Sequence, residues 1–194
     1  MTFEILKNFI NAKGFSSIHF FFNRFEYKCP QRADIIIYAE DYKEVILNCI
    51  PESKRVFILE KSPSIIYINF KFTIYLIRNI FKLKFLKDAS ELIKTEGYFI
   101  GLYMYLKDMR EYTVIEFTRA KCLITRIDNN SRLGRLISKT KNIKFITIQN
   151  GSRPKWETKE KLKHDLFLSF SDLEIRNLKS IGWEANEFKE YGSL

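Results

Sequence analysis

Two short polar runs carry the residue types that proton transfer and recognition of hydroxyl groups need. The first is Asp128-Asn129-Asn130, and the second is Gln149-Asn150-Gly151, followed closely by Arg153. A carboxylate such as Asp128 can take a proton from a hydroxyl as general base, or orient that hydroxyl by accepting its hydrogen bond. It can equally cap the helix that follows, a position where Asp, Asn and Ser are all favoured. The amides of Asn129, Asn130, Gln149 and Asn150 each offer donors and acceptors, as recognition of a polyhydroxylated ligand requires. The same residue types are common in tight turns. Gly151 lets a ligand approach the backbone closely, or it supplies a positive φ angle. Arg153 can pair with a phosphate or carboxylate, or it is an ordinary surface cation.

The elements around these runs would place them together. Cys122 to Ile127 is short and mostly apolar, as a buried parallel strand should be. Ser131 to Lys141 follows as a short basic helix with Leu133, Leu136 and Ile137 on its inner face. Lys144 to Ile148 is a second apolar strand. That is one βαβ unit, and both polar runs then follow the carboxyl ends of its strands. In open α/β sheets that edge is where ligands bind.

The flanking sequence extends the alternation. Strands are expected at Ala33–Ala39, Arg55–Leu59, Ser64–Phe70, Asp165–Phe170 and Glu187–Tyr191, and Ser17–Phe22 reads as a further strand or equally as a buried helix turn. Glu40 and Asp41 can cap a helix from Tyr42 to Cys49, and Pro51 stops it. Glu60 stands at a strand end as a second acid. Ser171 and Asp172 cap a helix that runs to Ser180, and Gly182 ends it. Thr2 to Ala12 has the spacing of an amphipathic helix. Lys71 to Met109 is helical by periodicity, with Gly97 and Gly101 marking a break or a packing contact, and Glu111 to Ala120 reads as the end of a helix. Lys71, Arg78 and Lys82 form a basic stripe opposite Ile74, Ile77 and Phe81. This is the pattern of a solvated face over a core face, with an anionic bilayer as the alternative contact. The expectation is one domain over residues 1–194. It is an α/β, three-layer, Rossmann-like domain with a mainly parallel sheet and helices on both faces.

Composition narrows the class. Hydrophobic residues are 46% and charged residues 29%, which describes a globular chain. The net charge of +10 permits an anionic partner, although the cations are scattered rather than blocked. No GxGxxG or Walker sequence occurs, and no strand interleaves basic and aromatic residues as RNA-binding strands do, so specific nucleic-acid binding is not expected. Cys29, Cys49 and Cys122 are odd in number and lack CxxC spacing, which suits a reduced cytosolic protein with buried thiols. His19 and His164 lie near no cysteine pair, so neither a metal nor another cofactor is expected. His164 reads as a surface histidine ahead of a strand, with a role as base the alternative. Glu4 and Lys7 interrupt the apolar core a signal peptide needs. The longest apolar region, Ser64 to Leu86, is broken by six polar or charged residues, from Asn69 to Lys84.

The stretch ITRIDNNSRLGRLISKTKNIKFITIQNGSR also resembles the signature of the bacterial surface carbohydrate biosynthesis proteins, a family of candidate glycosyltransferases. In that family a strand ends in IDNN, a helix follows, and a second strand ends in IQNG and then Arg. The resemblance is specific over residues 122–153 and extends weakly from Ile35 to Leu194. Arg126 departs from it, because the family more often has an apolar residue there. The resemblance implies the N-terminal, acceptor-side half of a GT-B transferase. A second domain would bring the nucleotide-sugar donor, and the acceptor would be a glycan or lipid-linked molecule. It implies Asp128 as base, with Asn129, Asn130, Gln149, Asn150, Gly151 and Arg153 on the substrate. A cytoplasmic protein, peripheral at the inner face of the membrane, fits that role. On this view the chain is a fragment, a truncated product or a split subunit. The competing classes are a non-catalytic α/β module for an anionic ligand or membrane, and a degenerate remnant.

Overall fold

The computed structural model describes residues 26–38, 43–60, 65–67, 69–126, 133, 136, 137, 139, 140, 142–149, 151 and 163–192. The elements are β1 (Glu26–Lys28), β2 (Ile35–Tyr38), α1 (Lys43–Asn48), β3 (Val56–Leu59), β4 (Ile65–Tyr67), α2 (Phe70–Ile80), α3 (Leu83–Glu96), α4 (Tyr98–Thr118), β5 (Cys122–Thr125), β6 (Lys144–Ile148), β7 (Lys163–Ser169), α5 (Asp172–Ser180) and β8 (Glu184–Glu190). Six strands make one all-parallel sheet in the order β3-β2-β5-β6-β7-β8. A separate two-stranded parallel pair joins β1 to β4.

The strand sequences explain the layering. In β2, Ile36 and Tyr38 face one side and Ile37 the other, because successive side chains alternate. A strand covered on both faces is apolar at every position, and IIIY meets that demand. Ile46 of α1 packs on the face of Ile37 and Ile148. Phe72 of α2, Val114 and Ile115 of α4, and the helical residues Leu133 and Ile137 pack on the other. The result is the three-layer, Rossmann-like α/β fold expected above. Local chemistry sets the ends of several helices. Asn69 accepts from the Lys71 and Phe72 amides at the start of α2, and Ser171 Oγ accepts from Glu174 N at 3.2 Å at the start of α5.

Both glycines of the helical hairpin have a physical role. Gly97 adopts φ 84° between α3 and α4, where an L side chain is strained. At Gly101 a Cβ would sit 2.5 Å from Leu92 O and 2.6 Å from the Ile93 backbone, so α3 and α4 meet backbone to backbone. The length of α4 then decides its overhang. Its 21 residues span about 31 Å, whereas the four residues of β2 span about 13 Å. Thr118 O accepts from Ala33 N at 3.0 Å just ahead of β2, while Glu111 meets Tyr38 at the last residue of β2. The first half of α4 therefore continues past the carboxyl edge of the sheet, braced by α3.

Several expectations change. The strand near Ser64–Phe70 is confined to Ile65–Tyr67, leaves the main sheet to pair with β1, and gives way to helix at Phe70. Ile74, Ile77 and Phe81 do not enter the core; they are exposed, and α2 buries Phe72 and Asn79 instead. Phe72 packs edge-on to Phe117 at 5.7 Å and Asn79 Nδ2 donates to Thr113 Oγ1 at 3.1 Å, which fixes that face against α4. Cys29 and Cys49 are exposed rather than buried, and Cys122 is half-buried. His164 is not a surface residue: it lies within β7 and is fully buried. Thr2–Ala12 and Ser17–Phe22 lie outside the described residues. No helix of the described residues is long and apolar enough to cross a membrane.

Candidate functional site

The chain leaves β2 outward to β3, returns through α2, α3 and α4, and enters the sheet again as β5 on the other side of β2. Strand order reverses between β2 and β5. The crevice outside the carboxyl ends at such a reversal is where open α/β sheets hold ligands. β5 leads directly into Asp128-Asn129-Asn130, and its neighbour β6 leads into Gln149-Asn150-Gly151, with Thr125 and Thr147 paired in register. The carboxyl ends of β5 and β6 therefore lie side by side, and the two runs follow them in sequence. Asp128, Asn129, Asn130, Asn150 and Arg153 lie outside the described residues, so the geometry at this edge is carried by Gln149, Gly151 and the groups beneath them.

Gln149 is fully buried and its amide is completely engaged. Oε1 accepts from Ser169 Oγ at 2.6 Å and from Phe170 N at 3.2 Å. Nε2 donates to Gly151 O at 2.9 Å and to Glu174 Oε2 at 3.3 Å. A side-chain amide has two donors and two principal acceptor sites, and all are used. The Gln149 carbonyl also accepts from the Tyr191 hydroxyl at 3.2 Å. Gln149 therefore ties the β6 turn to β7 and α5, and positions its neighbours rather than offering its own amide outward. Gly151 behaves differently. Among the described residues, a Cβ at Gly151 would meet no atom within 4 Å, and its carbonyl accepts from Gln149 Nε2.

Beneath the reversal point lies a buried polar cluster that sequence reasoning missed. Tyr38, the last residue of β2, donates its hydroxyl to Glu111 Oε2 at 3.0 Å, and Glu111 is fully buried in α4. The Arg110 guanidinium is 3.9 Å from the other Glu111 oxygen and lies over the Tyr67 ring at 5.9 Å from its centre. Burial pushes the Tyr67 phenol up to about 12, so it stays protonated. Glu60, the second candidate acid, is ion-paired with Lys28 at 2.8 Å, which links the small sheet to the main one. The available signal was the run Asp108-Met109-Arg110-Glu111 inside a helix otherwise rich in large apolar residues. Buried charge is the informative exception to burial by type.

His164 sits at the opposite, amino-proximal part of β7, away from this edge. Its Nδ1 is 2.8 Å from Thr147 Oγ1, and its ring stacks on Phe145 and Trp183 at 5.1 and 5.9 Å. Nε2 has no hydrogen-bond partner among the described residues. Burial lowers its pKa to about 4, so the ring is neutral at ordinary pH. The ring is therefore neutral, enclosed and engaged with Thr147.

Comparison with models of known families, with curated proteins and with solved structures found no match to this chain. Any functional reading therefore rests on the fold, on the reversal of strand order, and on the sequence that follows the carboxyl ends of β5 and β6.

Proposed function

We propose that this chain is the acceptor-side domain of a cytoplasmic glycosyltransferase of surface carbohydrate biosynthesis. The observation that carries the reading is the adjacency of the carboxyl ends of β5 and β6, which the IDNN and IQNG runs follow in sequence, beside the β2–β5 reversal. Asp128 takes the proton of an acceptor hydroxyl while that oxygen attacks the anomeric carbon, and the nucleoside diphosphate departs with the bonding pair. Asn129, Asn130 and Asn150 hold acceptor hydroxyls. Gln149 keeps the second turn in place, Gly151 leaves room for the acceptor, and Arg153 pairs with a phosphate of a lipid-linked acceptor or of the donor. A second domain, in the GT-B manner, supplies the nucleotide-sugar across the cleft.

The test compares two variants of the complete enzyme. Asp128→Asn should lower turnover by roughly 100-fold or more with little change in acceptor KM. Unchanged turnover removes Asp128 from catalysis. Gly151→Ala should leave stability unchanged or raise it by up to about 1 kcal/mol, while raising acceptor KM. An unaltered KM in a stable protein would exclude close approach at this turn.

A further inference from the structure

We propose that α2 is an interfacial helix through which this protein docks on an anionic lipid bilayer. This docking surface uses α2 and its flanking grooves alone and shares no residue with the proposed transferase site. Phe70, Ile74, Ile77 and Phe81 recur at the spacing of one helical face, and they are 81%, 50%, 53% and 70% exposed. At about 100° per residue they fall within an arc of roughly 60°. A surface helix ordinarily turns such a face inward. Here the inward arc is already taken by Phe72 and Asn79, so the second apolar arc points away from the protein. An amphipathic helix with aromatic and branched residues facing out, and cations beside them, has the composition of helices that lie in the headgroup region.

The charges beside the stripe give the occupant its chemistry. Lys71 and Arg78 project roughly 70 to 90° to one side of the centre of the stripe, and α2 contains no acidic residue. Two adjoining grooves run along that flank, with volumes of about 490 and 430 Å³, and share Tyr75, Glu116 and Arg119. Arg32 and Lys71 complete one groove, and Arg78 and Lys82 enter the other. The acid they share, Glu116, is already engaged by Lys82 at 3.6 Å. Arg32, Lys71 and Arg119 have no ion pair among the described residues. Apolar side chains would enter the acyl boundary while the adjacent grooves receive lipid phosphates. A second copy of the chain suits this face poorly. A two-fold interface would set the same cationic flank against itself in a protein of net charge +10. An anionic membrane complements both features.

The experiment is cosedimentation of the full chain with two kinds of vesicle: phosphatidylcholine alone, and phosphatidylcholine mixed with phosphatidylglycerol. Binding to the mixed vesicles only is expected, falling several-fold between about 50 and 200 mM salt. The double variant Ile77→Asp/Phe81→Asp should lose roughly tenfold or more in partitioning. Lys71→Glu/Arg78→Glu should lose roughly tenfold at low salt. All four side chains are exposed, and unchanged circular dichroism and melting temperature would show that the fold is kept. No binding to the mixed vesicles overturns the proposal. So does equal binding to both kinds, or binding untouched by the Ile77/Phe81 variant. A dimer seen by light scattering, without vesicle binding and dissolved by that variant, would assign the stripe to a second copy instead.

Discussion

The sheet-backed half of α4 encloses polar and charged side chains beside its apolar ones, whereas its free half leaves several large apolar side chains exposed. Where α4 lies on the sheet, Glu111 and Thr113 are fully buried. Where it passes the carboxyl edge, Tyr98, Phe99, Ile100 and Tyr103 are exposed, Phe99 by 84%. The same contrast separates the interior, which holds His164, Gln149 and Thr147, from α2, which turns its own apolar stripe outward. Position decides burial here more than residue type does, since within the free half only the side turned to α3, with Tyr105 and Met109, is enclosed. The inside polar groups persist because each has a partner: Tyr38 for Glu111, Ser169 and Glu174 for Gln149, Thr147 for His164. The outside apolar groups have nothing on the sheet left to cover them.

The contrast is most easily broken at Glu111. Glu111→Ala leaves Tyr38 and Arg110 without their shared carboxylate in a closed interior, and should cost about 3 to 5 kcal/mol by urea unfolding. A cost below about 1 kcal/mol would mean that the cluster is open to water. The next effect is that of His164, whose folded pKa is lowered to about 4 against 6.5 when unfolded. Below pH 6.5 the unfolded chain binds a proton that the folded protein refuses. Stability should therefore fall as pH drops from about 6.5 to about 4, by about 3 kcal/mol in total, and level off below. His164→Phe should remove that part of the slope, and an unchanged slope would assign it to other groups. The smallest effects come from two nearby positions in α4. Gly101→Ala forces a Cβ into the α3 backbone and should cost about 1 to 3 kcal/mol. Phe99→Ser should change stability by no more than about 0.5 kcal/mol, because its ring contributes little to the folded monomer. Equal costs at the two sites would show that the free half of the helix is covered after all.

Much of the architecture was legible from residue order. Apolar runs such as IIIY and KFITI, punctuated by Asp, Ser and Gly, imply strands covered on both faces and hence parallel α/β layers. Lys144–Ile148 has the bounds read from sequence, and Ser171 is the cap expected. Those features are local: alternation, caps and breaks depend on neighbours a few residues away. The two polar runs at strand ends were visible for the same reason. What α2 buries was not. Its sequence contains two apolar arcs, and only the site offered by α4, through Phe117 and Thr113, selects Phe72 and Asn79 over Ile74 and Ile77. Gln149, His164 and Glu111 were likewise decided by distant partners. Their hydrogen bonds join residues 17 to 73 positions apart, and no local pattern records which polar side chain a fold will enclose.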